Sequence, residues 1–114
     1  MVLRRPERVA KLIREGISQI LIREMKDPRV GILEITQVSV TPDLREARVF
    51  FRMVGSESER TVVESVLSGA RGFIQSQLGR MLGLRITPNL SFKYDDSLDE
   101  ADRIDALLDE SKLE

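Results

Sequence analysis

The sequence predicts one α+β domain in the order helix, strand, strand, helix, helix, strand, with a three-stranded sheet and the helices packed on one face of it. Three observations point there. Apolar residues recur at helical spacing in three separate stretches. Between and after those stretches lie segments rich in β-branched residues that alternate in polarity. And 114 residues at 41% hydrophobic composition suffice for one modest core with little left for a second. The domain is expected over residues 1–96, with an acidic helix or tail over 97–114.

The first helix is expected from Pro6 to Met25, where Val9, Ile13, Ile17, Ile20, Leu21 and Met25 share a face. Pro6 suits a first turn, and Asp27-Pro28 ends the helix because the residue before a proline is driven out of the α region. Two antiparallel strands follow, divided by Thr41-Pro42-Asp43-Leu44. In the second, Ala47, Val49, Phe51 and Met53 share one face and Arg48, Phe50 and Arg52 the other. In the first, Leu33 and Ile35 have one parity and Val38 and Val40 the opposite, so a bulge near Thr36-Gln37 is needed to turn both pairs inward.

Helical spacing returns with Val62, Val63, Val66, Leu67 and Ala70, stops at SGARGFIQ (residues 68–75), and resumes with Phe73, Ile74, Leu78, Met81 and Leu82 before Gly83 closes it. In the last strand Ile86, Leu90, Phe92 and Tyr94 are expected to face one way. Pro88, with no amide to donate, marks an edge position or a bulge. Leu98, Ala101, Ile104, Leu107 and Leu108 then suggest a short acidic helix.

The formal charge of −1 conceals a strong polarity along the chain. Residues 1–30 carry eight lysines and arginines against four carboxylates, residues 68–94 carry four against none, and residues 95–114 carry two against nine. A body of +6 with a tail of −7 is a sign asymmetry common in nucleic-acid binders, and it predicts a tail that competes with RNA for the basic face. With no cysteine and no histidine, thiolate and imidazole chemistry are unavailable, and neither a P-loop, a nucleophile elbow nor a cofactor fingerprint is present. A non-catalytic protein with no cofactor is expected, in a reducing, cytoplasmic setting. The basic start is interrupted by charge too often for a signal peptide or a membrane span. Asp95, Asp96, Asp99, Glu100 and Asp102 lack the glycine and spacing of a calcium loop, so they read as a solvated face and no metal is expected.

Two helices joined by a glycine-containing turn, in the order αββααβ, match the type II KH arrangement of RNA-binding domains. There a GXXG turn lets the backbone approach phosphates beside an open helix N-terminus. Gly69-Ala70-Arg71-Gly72 fits that pattern literally, although a plain kink between packed helices needs the same residues. Four segments sharpen the likeness: RRPERVAKLIREGISQIL with KDPRVG (4–31), VSVTPDLREARVFF (38–51), LSGARGFIQSQLGRMLGLRITPNLSF (67–92) and YDDSLDEADRIDALL (94–108). In this order and spacing the chain resembles the ribosome-binding factor A family over roughly residues 4–108.

That resemblance implies a KH-like fold in which an interrupted helix with an Ala-X-Gly kink replaces the GXXG turn, here Ala70-Arg71-Gly72. It also implies a non-catalytic factor that binds the immature small (30S) ribosomal subunit and 16S rRNA, beside other assembly factors. Such a factor assists late maturation and 5′-end processing, including in the cold. A monomer is expected. The resemblance implies that Gln75 stands where many relatives of that family would show a basic residue.

Candidate RNA contacts are Arg4, Arg5, Arg8 and Lys11 on the first helix, with Arg14 beyond them; Arg71 and Arg80 around the break; and Arg48, Arg52, Arg85 and Lys93 on outward strand faces. The cations around the bent helical pair and on the leading helix are expected to form one continuous phosphate-facing surface, and Ala70 and Gly72 to be close-packed at the kink. Phe50, between Arg48 and Arg52, has the setting of a base-stacking residue but reads first as sheet-surface packing. Two other functions fit the residues: a general single-stranded RNA module acting away from the ribosome, and an adaptor that binds proteins through its acidic end.

Overall fold

The computed structural model describes residues 4–23 and 33–97. The elements run α1 (Arg5–Arg23), β1 (Leu33–Val40), β2 (Glu46–Met53), α2 (Glu57–Gly69), α3 (Arg71–Leu82) and β3 (Asn89–Tyr94), in the expected order αββααβ. The Met25 end of the first helix, the Asp27-Pro28 stop, and the acidic helix with its proposed competition for RNA all fall outside the described residues.

The sheet has the order β1-β2-β3, with β1 antiparallel to β2 and β2 parallel to β3. A parallel pair needs a long crossover, which α2 and α3 supply. The buried strand residues Ile35, Val38, Ala47, Val49, Phe51, Leu90 and Phe92 form one core with Ile13, Ile17 and Ile20 of α1, Val63 and Leu67 of α2, and Ile74 and Leu78 of α3. α1 lies against β1, α2 against β3, and α3 against α1 and β3.

The β1 bulge occurs where the parity switch demands it. Ile35 pairs with Phe51 and Gln37 with Phe50, leaving Thr36 over, so that Ile35 and Val38 are both buried. Thr36 Oγ1 donates a 2.6 Å hydrogen bond to Asp95 Oδ2, and Asp95 N continues the parallel ladder to Phe51 O at 2.7 Å. The bulge is thereby tied to the end of β3.

β3 is an edge strand, and it starts one residue after Pro88. Its first amide, Asn89 N, bonds Arg45 O at 2.8 Å. The next, Leu90 N, donates to the side-chain oxygen of Gln75 at 3.0 Å, which fastens α3 to the strand and satisfies an edge amide. Ile86 departs from expectation: it precedes the strand and is 76% exposed. The alternation of polarity does not carry across Pro88, which breaks the strand pattern there.

Ser56 caps α2 through a reciprocal box with Glu59, Glu59 N to Ser56 Oγ at 3.2 Å and Ser56 N to Glu59 Oε1 at 3.1 Å. Gly83 (φ 62°) ends α3 in the left-handed conformation, as its position predicts. Leu44 adopts the same conformation (φ 62°) in the β1–β2 turn, where Leu44 N bonds Thr41 O at 2.8 Å.

Gly16 is the point where α1 meets α3. A Cβ there lies 2.6 Å from Leu78 Cδ1, so the fully buried Leu78 side chain has to shift to admit one. Gly16→Val should cost about 1–3 kcal/mol by overpacking, measured by urea unfolding.

Asp95 gives a second expectation. Hydrogen bonds from the Ser97 hydroxyl, from Thr36 and from Ser97 N hold its carboxyl below the usual range. A carboxyl pKa lowered by folding contributes stability at neutral pH that disappears as pH falls from about 4 through the lower folded value. Asp95→Asn should therefore be less stable than wild type at neutral pH, and the gap should narrow in urea titrations at about pH 3.

Candidate nucleic-acid interface

The break in the second helical stretch is one residue wide. Ala70 (φ −89°, ψ 2°) is the last cap of α2 and the first of α3, and its backbone keeps both neighbours bonded: Ala70 N to Val66 O at 3.0 Å and Ile74 N to Ala70 O at 2.9 Å. Neither Gly69 nor Gly72 has a positive φ, so their dihedrals give no left-handed GXXG turn. Gly69 is simply the last residue of α2. The expectation of close packing holds for Ala70, which packs against the core, and fails for Gly72, where an added Cβ meets open space.

α3 begins without a side-chain cap, and Arg71, its first residue, is exposed beside those amides. Arg80 lies two turns on, exposed, with Arg80 Nη2 donating to Ser76 Oγ at 3.2 Å. No carboxylate occurs on either side of the break from Ser65 to Leu82, so nothing local neutralises this stretch.

On α1, Arg8 and Lys11 project away from the buried Ile13–Ile17–Ile20 stripe and have no ion-pair partner among the described residues. Arg4 is different: its guanidinium lies 3.6 Å from Glu7 Oε1 and its amide bonds Glu7 Oε2 at 3.2 Å, so part of its charge is engaged at the helix start. Arg5, with Arg85, lines a groove of about 750 Å³ between α1, the β1–β2 turn and the α3–β3 loop.

The strand cations take another side. Register and burial put Arg48, Arg52 and Lys93 on the sheet face away from the helices, around a half-buried Phe50 that lies opposite Lys93 on one flank and Gln37 on the other. That face also holds Glu34 opposite Arg52 and Glu46 at the start of β2, and the Arg52 charge acts on Asp95. The sheet face is thus mixed in sign, and Phe50 sits among polar and charged neighbours as part of that surface.

The candidate cations are therefore divided among different parts of the surface. Arg8, Lys11, Arg71 and Arg80 belong to the helical layer, Arg5 and Arg85 to the groove, and Arg48, Arg52 and Lys93 to the opposite face. Two cations outside the expected set also find places. Arg60 sits 4.3 Å over the Tyr94 ring, which is itself edge-on to Phe51, and so belongs to packing. Arg45 joins Arg5 and Arg85 in the groove. Its place directly after the left-handed Leu44 is the available signal, because a tight turn brings that residue back over the sheet end. Gln75, by contrast, fastens β3 through its carbonyl oxygen.

Among the described residues no group of acidic side chains could hold a metal ion, and no helix is long and apolar enough to cross a membrane.

The family model described as Ribosome-binding factor A matches residues 5–108. A Ribosome-binding factor A from Geotalea uraniireducens is 43% identical over 107 residues, covering 94% of this chain and 88% of that protein. The crystal structure of ribosome-binding factor A from Thermus thermophilus superposes with a TM-score of 0.68 at 20% identity, covering 78% of this chain and 94% of that one. A homology model of the Thermus thermophilus protein, fitted into the cryo-EM map of a 30S–RbfA complex, superposes at 0.61 with 21% identity, covering 81% and 92%.

Arg71 and Arg80 stand clear of the core and of any ion pair among the described residues. Arg71→Glu and Arg80→Glu should each change folding stability by less than about 0.5 kcal/mol, read from thermal unfolding. A larger loss makes them structural.

Proposed function

The chain belongs to the ribosome-binding factor A family, and from that premise we propose that it binds the immature small ribosomal subunit through 16S rRNA and assists its late maturation without catalysing a reaction. Processing of the 16S rRNA 5′ end and importance in the cold belong to the same reading, as does action as a monomer alongside other assembly factors.

The observation that carries the reading is the accessibility of the cations. Nine of the ten candidate contacts are exposed, and Arg52 is half-buried. Of the nine, only Arg4 has an ion-pair partner among the described residues. Long cationic side chains left in water keep their full charge for a polyanion, and release of condensed counterions from RNA then supplies the binding free energy. Arg71 next to the uncapped start of α3 combines a planar, bidentate donor with backbone amides, a pairing suited to phosphate. Folded rRNA presents mainly phosphates and 2′-hydroxyls, so such contacts read its shape.

A binder of this kind acts by difference. If it holds one rRNA arrangement more tightly than another, it shifts their populations by the ratio of the two affinities, and no nucleotide hydrolysis is required.

Co-sedimentation with precursor and mature small subunits over a salt series tests this. Retention by precursor, weaker retention by mature subunits, and loss of both as salt rises are expected. Arg71→Glu and Arg80→Glu should each weaken retention. Equal binding to unrelated single strands would point to a general RNA module, and salt-insensitive behaviour with no RNA retained to a protein adaptor.

A further inference from the structure

Resting on the RNA reading above, we propose that the groove between α1, the β1–β2 turn and the α3–β3 loop seats one unpaired nucleotide. Its phosphate lies among Arg5, Arg45 and Arg85, and its base rests on Leu44, Leu84 and Ile86.

Three arginines reach this groove from three segments distant in sequence: the start of α1, the residue before β2, and the loop before β3. Convergence of that kind differs from a run of charges along one solvated helix face. The volume, about 750 Å³, lies within the range of sites that enclose a small ligand.

The lining contains one carboxylate, and it is already engaged. Asp43 accepts hydrogen bonds from Thr41 Oγ1 at 2.6 Å and from Arg45 N at 3.1 Å, which hold its pKa down and keep it charged. Asp43 offsets one guanidinium, chiefly that of Arg45, and the groove retains a net positive charge.

The apolar part of the lining selects the nucleic-acid form. Ile86 is 76% exposed, an aliphatic side chain standing in water on the rim, and Leu44 and Leu84 are half-buried beside it. A duplex offers phosphates but keeps its base faces stacked. An unpaired nucleotide offers both a phosphate for the arginines and a base face for the aliphatic rim and guanidinium planes. Asn89, exposed at the same groove, carries an amide donor and acceptor for a base edge. Neither α2 nor the Ala70 break contributes a lining residue, so this seat is separate from the contacts around Arg71.

The test is fluorescence anisotropy with a short single-stranded uridine oligomer and with a duplex of equal length, alongside co-sedimentation with precursor subunits. Arg45→Gln and Arg85→Gln should each weaken single-strand binding roughly tenfold and flatten the log–log salt dependence by about 0.7. Ile86→Ser should weaken single-strand binding several-fold and leave duplex binding alone. Arg23→Gln, about 27 Å along α1 from Arg5, should change neither, which separates a groove effect from a loss of net charge. Thermal unfolding controls for folding.

Groove variants that bind the oligomer like wild type overturn the seat, as does loss of equal size in Arg23→Gln or a wild-type chain that ignores the oligomer. In those cases retained co-sedimentation leaves the ribosomal reading standing. Failure of the wild-type chain to co-sediment removes that reading itself.

Discussion

The arrangement of this domain hangs on the single non-helical residue between α2 and α3. An unbroken helix from Glu57 to Leu82 would be about 39 Å long, whereas the eight-residue strands beneath it span about 27 Å. Val63, Leu67, Ile74 and Leu78 would share one face of such a rod, but the rod would run on in one direction instead of turning α3 toward α1. The break at Ala70 lets α2 settle on β3 while α3 crosses to α1, and both apolar stripes become buried. It costs little, because the hydrogen bonds of Ala70 and Ile74 survive on either side.

Several features follow from that crossing. With α3 directed at α1, the helices approach closely enough that a Cβ at position 16 would press on the Leu78 side chain. The path back from α3 to β3 must then cover the sheet end in a few residues, which Gly83 allows by turning left-handed. The returning loop places Arg85 and Ile86 beside the β1–β2 turn, and Gln75 holds the end of this path by taking the free amide of Leu90. The groove is the space that remains where these segments meet the first turn of α1.

What the sequence discloses, it discloses through periodicity. The opposite parities of Leu33–Ile35 and Val38–Val40 locate the bulge at Thr36, and the glycine after Leu82 locates the helix end. Errors arise where a pattern runs past its physical boundary. Ile86 has the right spacing for β3 but lies before a proline that cannot donate to the ladder. Phe73 and Met81 have helical spacing, yet each is 44% exposed, because α3 turns only its Ile74–Leu78 side inward. The Ser56–Glu59 capping box is written in the sequence, but within a run of polar residues it is easily taken for a plain loop. The site is less legible than the fold. Composition supplies the number of cations, whereas sidedness depends on register: residues 48, 52 and 93 alternate with core positions and must lie on the far face of the sheet.

This division changes how such a protein can discriminate. Cations gathered on one flat patch would bind any phosphate-rich surface about equally, since backbone contacts carry no sequence information. Here the helical layer, the groove and the mixed-sign sheet face point in different directions on a domain whose core is buried and whose bulge, edge strand and helix ends are each fastened by hydrogen bonds. On the proposed reading, a rigid body of this kind gains its full binding free energy only from an RNA that folds around it and offers phosphates on more than one side. An arrangement that meets only one face forfeits the other contacts, and under the proposed function that shortfall is the differential affinity by which a binder moves a conformational equilibrium.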